Sequence, residues 1–192
     1  APGGKSVNAA LKAVESAYAD IKDIPDDGVE ENIIKSITGR VISRDVSDYK
    51  VSLIDDNIER LGISNIDVQV YNALDKDDSL VGKADIVIAD LPCSGLGIMG
   101  RKPDIRYNIS PEKISDIIRL QRDILEVVSM YVKPGGTLVY STCTINRSEN
   151  EDNADWICTS LGFTRDGEYV QMLPSPDKDN DGFFVARLIK NS

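Results

Sequence analysis

The 192-residue sequence contains no histidine and only three cysteines, Cys93, Cys143 and Cys158. No two cysteines have the Cys-x-x-Cys spacing of a zinc site, so we expect no bound metal. Free thiols are the simplest interpretation, and they indicate a reducing, cytoplasmic location. Cys158 is interpreted as a small buried hydrophobe, which is the usual role of a lone cysteine.

Positive charge is also scarce, because 22 Lys and Arg against 32 Asp and Glu give a net charge of −10. Such an acidic chain releases few counterions from a phosphate backbone, which argues against a module that coats nucleic acid. An enzyme that holds RNA through a local basic patch is still compatible with this charge. Long apolar runs are lacking as well, and none approaches the ~18 residues of a membrane span. No membrane partner is expected, and the sequence does not indicate an oligomeric state.

Two apolar segments each lead to a cysteine. Residues 86–89 run directly into Asp90 and then Cys93, and residues 136–140 lead to Cys143. Ligands of open α/β sheets bind outside the carboxyl ends of parallel strands, so these three polar residues are candidates for chemistry. A redox pair is an alternative role for the thiols, although such pairs favour shorter spacing. A helix expected soon after Cys143 would stabilise a thiolate there.

Strand and helix patterns alternate along the chain. Strands are predicted at about 40–45, 66–70, 85–90, 136–141, 163–171 and 183–189. Helices are predicted at about 7–22, 29–38, 47–61, 111–132 and 148–161, with caps at Ser47 and Ser110. This order predicts a doubly wound, mostly parallel α/β sheet with a C-terminal antiparallel hairpin. A strand normally precedes a glycine-rich loop, so residues 1–192 are expected to form one N-terminally truncated domain whose first strand is missing.

The first residues, Ala1, Pro2, Gly3, Gly4 and Lys5, form that glycine-rich loop. Backbone N–H groups there could bind a ligand against the start of a helix. The alternatives are a plain turn or the end of a phosphate-binding P-loop, whose last residues Gly4-Lys5-Ser6 match. Asp45, at the end of a predicted strand, could accept ribose hydroxyls as in dinucleotide sites, or could serve the start of the next helix.

Seven separated motifs carry a more specific resemblance. In order, they are Ala1-Pro-Gly-Gly-Lys5, Asp90-Leu-Pro-Cys-Ser-Gly95, Arg101-Lys-Pro-Asp-Ile-Arg106, Val132-Lys-Pro-Gly-Gly136, Tyr140-Ser-Thr-Cys143, Glu149-Asn150 and Asp181-Gly-Phe-Phe-Val-Ala-Arg187. Together they resemble the RNA cytosine-5 methyltransferases of the NOL/NOP/Sun family, in particular its bacterial ribosomal RNA branch. The resemblance covers residues 39–192 and the first few residues.

The resemblance implies a Rossmann-like methyltransferase that transfers a methyl group from S-adenosylmethionine to C5 of a cytosine in RNA, with ribosomal RNA as the expected substrate. It implies Cys143 as the nucleophile, Cys93 as the assisting thiol and Asp90 beside the base. The implied cofactor-binding residues are Ala1, Pro2, Gly3, Gly4, Lys5, Asp45, Asn72 and Asp90. Asn72 stands where the family usually has an aspartate, and residues 7–38 do not match the family.

Several alternatives stay open. Basic residues of one loop, Arg101, Lys102 and Arg106, are candidate contacts to RNA phosphates, or the loop is simply solvated. DNA cytosine-5 methyltransferases attack from a Pro-Cys loop like Pro92-Cys93, so the two thiols could have the reverse roles. A P-loop nucleotide-binding enzyme and a catalytically silent RNA-contacting domain are the rival functions.

Overall fold

The structure is a computed structural model that describes residues 4–20, 39–175, 177 and 180–192. Ala1, Pro2 and Gly3 lie outside the described residues, as do the turn expected at 24–28 and the helix expected at 29–38. The chain divides into two compact units, Ala1–Ala73 and Leu74–Ser192. Among the described residues, no helix is both long enough and apolar enough to cross a membrane.

The described residues of the first unit form two helices and two strands: α1 Gly4–Asp20, β1 Val41–Asp45, α2 Asp48–Leu61 and β2 Ile66–Val70. β1 and β2 pair in parallel, with Asp45 opposite Val70. The prediction of a loop at residues 1–5 is partly wrong, because Gly4 and Lys5 already belong to the first turn of α1. A glycine costs little at a helix end, and the alanine-rich segment that follows favours the helix.

Local capping chemistry fixes the ends of α2. The Ser47 side chain accepts a hydrogen bond from the Lys50 N–H, and Gly62 closes the helix at a φ of 64°. Val51 and Ile54 are buried on its inner face. Both ends lie where the sequence predicts them, because serine caps and left-handed glycines act through their own neighbours.

The second unit alternates helices and strands around a five-stranded sheet. Its strands are β3 Ala84–Asp90, β4 Val132–Thr142, β5 Phe163–Arg165, β6 Val170–Met172 and β7 Phe183–Lys190. Its helices are α3 Ile105–Asn108, α4 Pro111–Ser129 and α5 Glu151–Ser160, with 3₁₀ turns at Leu96–Ile98 and Arg147–Glu149. β3 and β4 are parallel, whereas β7 runs antiparallel to β4, β5 and β6. The predicted α/β class with antiparallel C-terminal strands is confirmed, although the described strands form two sheets.

Four features of the elements differ from the prediction: the end of α4, the start of β4, the division of one strand and the start of α5. Helix α4 starts at the expected Ser110–Pro111 cap but ends at Ser129, and β4 already begins at Val132. A register shift between Ala84 and Ile86 of β3 lets the irregular Pro134-containing segment join the strand. The strand expected at 163–171 is two short strands, because the chain turns between them at Gly167, whose φ is 81°. The helix expected from about 148 starts only at Glu151.

The core of the second unit lies against β4 and β7. Its fully buried members include Leu138 and Tyr140 of β4 and Phe184 and Leu188 of β7. The Tyr140 and Phe184 rings meet edge to face with centroids 6.1 Å apart. Burying large apolar side chains at the centre of the sheet is the main source of its stability. Cys143 therefore directly follows a well-packed strand.

Candidate active site

The two strand-end cysteines are brought into contact. β3 and β4 are neighbours in register, with Asp90 opposite Ser141. Each strand then continues into its cysteine, and the Sγ atoms of Cys93 and Cys143 lie 3.1 Å apart. Both cysteines are free thiols and are partly buried. Two thiols that are far apart in the sequence are therefore neighbours at this edge of the sheet.

The contact between the sulfurs affects the pKa of Cys93. The hydrogen bond with Cys143 raises the pKa of Cys93 well above its ordinary value, and burial and the charge of Cys143 act in the same direction. Backbone hydrogen bonds oppose this effect. The raised pKa therefore favours a pair in which Cys93 keeps its proton, and at this distance either sulfur can be the donor.

The helix expected to stabilise a Cys143 thiolate does not follow it directly. The next turn is the 3₁₀ segment Arg147–Glu149, capped by the Asn146 side chain, and α5 starts at Glu151. Helix-terminus effects fall off within the first turn, so the dipole argument is wrong for this cysteine. The contact that the structure does provide for this sulfur is the hydrogen bond with the Cys93 sulfur, in which either thiol can donate.

Asp90 lies at the end of β3, beside the second strand end. Its carboxylate accepts a hydrogen bond from the Ser141 hydroxyl at 3.0 Å. The Leu91 N–H donates to the Ser141 carbonyl at 3.2 Å, which extends the pairing of the two strands by one residue. Asp90 itself is solvent-exposed. An exposed carboxylate with one oxygen oriented by a hydroxyl can accept further hydrogen bonds from a ligand.

A buried carboxylate joins the two cysteine loops. Glu149 is 0% exposed, and it accepts hydrogen bonds from the Ser94 N–H at 2.7 Å and the Ser94 hydroxyl at 2.6 Å. From the other loop, Asn146 Nδ2 donates at 3.0 Å and the Thr144 hydroxyl at 3.4 Å. The sequence predicted no role for this glutamate. Its place in the Glu149-Asn150 motif was the only signal for it.

Buried amides hold the backbone around the same loops. Gln121 Nε2 donates to the Pro92 carbonyl at 2.8 Å. Asn150 accepts from the Thr142 hydroxyl at 2.6 Å and donates to the Thr144 carbonyl at 3.1 Å. Gln121 and Asn150 are both fully buried. Satisfied polar networks of this kind restrict the conformations of the loops that they bind.

Two glycines allow three segments to approach closely behind Cys143. The Gly97 N–H donates to the Cys143 carbonyl at 3.1 Å, and the Gly182 N–H donates to the Gly97 carbonyl at 2.7 Å. A Cβ at Gly97 would lie 2.5 Å from the Gly182 carbonyl oxygen and 2.8 Å from that of Cys143. Only glycine fits this position without movement of backbone atoms.

The predicted cofactor residues of the first unit lie on α1 and at the ends of the parallel strands. Gly4 and Lys5 are exposed in the first turn of α1. Asp45 ends β1, and its carboxylate accepts from the Ser47 N–H at 2.9 Å and from Lys50 Nζ at 3.2 Å. The carboxylate therefore does serve the start of α2. Asn72, which follows β2, is exposed.

The basic loop follows the first cysteine loop. Arg101 pairs with Asp181 at 3.2 Å, and the Arg106 guanidinium lies 4.9 Å from the centre of the Tyr107 ring. Lys102 is exposed, and Tyr107 is 78% exposed. The loop thus presents cationic groups and one aromatic ring to solvent.

Comparison with solved structures shows proteins of the same fold. The chain superimposes on NSun6 from Pyrococcus horikoshii, determined with SFG, with a TM-score of 0.71. The two are 24% identical, and the match covers 100% of this chain and 46% of that one. A methyltransferase homolog protein from the same organism gives a TM-score of 0.68 at 22% identity, covering 85% of this chain and 58% of that one. The chain therefore shares its α/β fold with these two proteins.

The family follows from the sequence matches. The model of the family described as 16S rRNA methyltransferase RsmB/F matches residues 31–189. Ribosomal RNA small subunit methyltransferase F of Salmonella paratyphi A is 35% identical over 175 residues. The protein of that name from Aliivibrio salmonicida is 31% identical over 172 residues. Each match covers 80% of this chain and 36% of the relative, so the chain spans about a third of their length.

The chain belongs to the RsmB/F family of 16S rRNA methyltransferases. The family resemblance expected from the seven motifs is thereby confirmed.

Proposed function

We propose that this chain is a catalytic domain that transfers a methyl group from S-adenosylmethionine to C5 of a cytosine in RNA, with ribosomal RNA as the substrate. The observation that carries the proposal is the contact between Cys93 and Cys143 at the ends of adjacent parallel strands. Family membership supports a methyltransferase acting on ribosomal RNA and favours it over a P-loop enzyme.

When bound, S-adenosylmethionine supplies an activated methyl group on a sulfonium. Asp45 fits a role at its ribose, because each carboxylate oxygen accepts one hydrogen bond and keeps a free lone pair. Asn72 follows the neighbouring parallel strand, where its amide would donate to or accept from the adenine. The remaining residues assigned to the cofactor are Ala1, Pro2, Gly3, Gly4, Lys5 and Asp90.

Cytosine C5 is a poor nucleophile, and a thiolate that adds to C6 makes it reactive. In the proposed reaction Cys143 attacks C6, a C–S bond forms, and negative charge moves toward N3 and O2 of the ring. The Asp90 carboxyl, oriented by Ser141, is assigned to the N3/N4 edge, where a proton donated from the carboxyl to N3 would offset that charge. C5 then takes the methyl group.

Release of the product requires loss of the C5 proton. The pKa of Cys93 is raised above all by its hydrogen bond to Cys143. That bond and the charge of Cys143 both weaken once Cys143 is bonded to carbon, so Cys93 becomes easier to ionise and gives its proton to water. The Cys93 thiolate then removes the C5 proton, the C–S bond breaks, and Cys143 leaves as a thiolate.

The base has to leave its stack to reach both sulfurs, which favours a single-stranded or looped RNA. The exposed groups of the basic loop, Arg101, Lys102 and Arg106, are proposed to hold the flanking phosphates. Tyr107 is exposed enough to stack on a neighbouring base.

The deciding experiment incubates the chain with ribosomal RNA and methyl-labelled cofactor, digests the RNA and measures 5-methylcytidine. Cys143→Ser should abolish both the product and any covalent adduct on a denaturing gel. Cys93→Ser should accumulate the adduct and release it slowly. The reverse pattern would exchange the roles of the thiols. A chain that binds no cofactor in a calorimetric titration would be the catalytically silent RNA-contacting domain instead.

A further inference from the structure

We infer that Glu149 is a positioning residue that sets the separation of the two active-site sulfurs by binding the residue that follows each cysteine. Its effect on methyl transfer rests on the proposed function, whereas its effect on the thiols does not. Glu149 accepts hydrogen bonds from both loops, from Ser94 on one side and from Asn146 on the other.

The contacts of Glu149 are divided between the two loops. Ser94 directly follows Cys93, and both its backbone N–H and its hydroxyl donate to the Glu149 carboxylate. Thr144 directly follows Cys143, and its hydroxyl donates at 3.4 Å. A further hydrogen bond at 2.8 Å joins the Ser94 and Thr144 hydroxyls to each other. Movement of either cysteine loop would therefore break hydrogen bonds to a fully buried carboxylate.

The Glu149 carboxylate suits this position because its oxygens accept hydrogen bonds and the groups around it donate them. The groups around it are neutral: the Ser94 N–H and the Asn146 amide donate to it, and so does a hydroxyl of Ser94 or Thr144, while the other hydroxyl proton serves the bond between those two residues. An ionised carboxylate offers about four lone-pair sites, enough for all of them. A glutamine of the same size would turn an NH₂ group toward at least one donor. Burying two donors against each other is unfavourable, so the loops would separate locally.

The consequence for the site is the spacing of the sulfurs. At 3.1 Å one S–H can donate to the other sulfur. S–H groups are weak donors, so this contact is lost when the two loops separate. The two sulfurs would then no longer be hydrogen-bonded to each other. The reactivity of the pair is therefore expected to depend on Glu149, which touches neither sulfur in the hydrogen bonds described.

The test measures formation of the Cys93–Cys143 disulfide in the 192-residue chain. Diamide is the oxidant: the two thiol hydrogens pass to its N=N bond, which becomes a hydrazine, and the sulfurs form the S–S bond. Peptide mapping by mass spectrometry follows the cross-linked pair over time. Glu149→Gln should slow this reaction by about tenfold or more, while circular dichroism shows that the chain stays folded.

Glu151→Gln is the matched control, since it removes a nearby charge that has no described contact to either cysteine loop. It should cross-link at the parent rate. A folded Glu149→Gln chain that also cross-links at the parent rate would overturn the inference. Should Glu149→Gln not fold, Ser94→Ala decides, because it removes the hydroxyl that contacts Glu149 and Thr144 and leaves the Ser94 N–H bound to the carboxylate. A severalfold slower reaction supports the role of Glu149, and an unchanged rate rejects it.

Methyl transfer provides the second readout. Glu149→Gln should lower kcat and leave the KM for S-adenosylmethionine unchanged, because the cofactor residues are not altered. A general loss of structure would change both. If the parent chain transfers no methyl group, the proposed function fails, and the cross-linking rates still judge the positioning role.

Discussion

Cys93 Sγ and Cys143 Sγ lie 3.1 Å apart although 50 positions separate them in the sequence. Parallel pairing of β3 with β4 accounts for this, because Asp90 is the register partner of Ser141 and each cysteine follows its strand end by a few residues. If the loops that follow β3 and β4 moved independently, the two sulfurs would rarely keep such a contact. The buried hydrogen bonds of Glu149 and Gln121 explain why these loops do.

The protonation of Cys93 predicts a pH dependence of stability. Its pKa is raised in the folded chain, first by the hydrogen bond with Cys143 and then by burial. An unfolded thiol ionises near pH ~8.5. Below that pH the contribution of Cys93 is fully present, and above it the unfolded state loses a proton that the folded state keeps. The free energy of unfolding should therefore fall as the pH rises from about 8.5 toward 10.

Urea unfolding under reducing conditions at neutral and alkaline pH measures this fall. Cys93→Ser is the control, because serine does not titrate in this range. Its stability should depend less on pH than that of the parent. Identical pH dependence in the two chains would show that Cys93 is not the group responsible.

Gly97→Ala should destabilise the second unit by about 2–3 kcal/mol, near the upper end for overpacking. The added methyl group would lie 2.5 Å from the Gly182 carbonyl oxygen, and backbone atoms cannot move aside as a flexible side chain can. Gly100→Ala is the matched control, since nothing lies within 4 Å of a Cβ at that position. It should change the unfolding free energy by less than about 0.5 kcal/mol in a urea titration. Equal effects of the two substitutions would contradict the close approach.

Features with local causes could be predicted from the sequence. The caps at Ser47 and Ser110 and the strand that ends at Asp90 lie where expected, because a serine before a helix and an apolar run before a turn act through near neighbours. The alternation of strands and helices was likewise sufficient for the fold class. The short spacing of the last strands predicted their antiparallel pairing.

Features with distant causes could not be predicted. The sequence of Val132–Gly136 predicts a turn at the end of a helix. In the structure the segment belongs to β4, because it lies beside β3. Glu149 reads as an ordinary charged residue before a helix. Its role depends on Ser94, 55 positions away, and no periodicity or spacing encodes that contact. Burial of a carboxylate becomes visible only once the fold is known.

Asp45 has an observed contact at the start of α2 and a proposed role at the cofactor, and substitution can separate the two. Asp45→Ala should weaken binding of S-adenosylmethionine by more than about tenfold, since hydrogen bonds from ribose hydroxyls to a charged group contribute ~1.5–3 kcal/mol each. It should also destabilise α2, because the Ser47 N–H loses its acceptor. Ser47→Ala is the control: it should cost about 1 kcal/mol of stability through the lost cap and leave cofactor affinity unchanged. Calorimetry in which Asp45→Ala binds as tightly as Ser47→Ala would remove Asp45 from the cofactor site.

The basic loop offers a salt-dependent prediction about RNA. Lys102 is an exposed cation, whereas Arg101 already pairs with Asp181. A lysine bound to a phosphate displaces counterions, so Lys102→Ala should weaken binding of single-stranded ribosomal RNA and reduce the slope of log affinity against log salt by about 0.7. Arg101→Ala should have a smaller effect on that slope, because its charge is partly neutralised in the free protein.

Lys83→Ala provides the comparison, since Lys83 is an exposed lysine of the same unit that precedes β3. It removes the same charge from the acidic chain, so it controls for the change in net charge alone. Fluorescence anisotropy over a series of salt concentrations measures the slope for all three variants. The basic loop is part of the RNA interface if only Lys102→Ala and Arg101→Ala lower the slope. If Lys83→Ala lowers it as much as Lys102→Ala does, the attraction comes from overall charge, and the loop is the solvated segment that the sequence also allows.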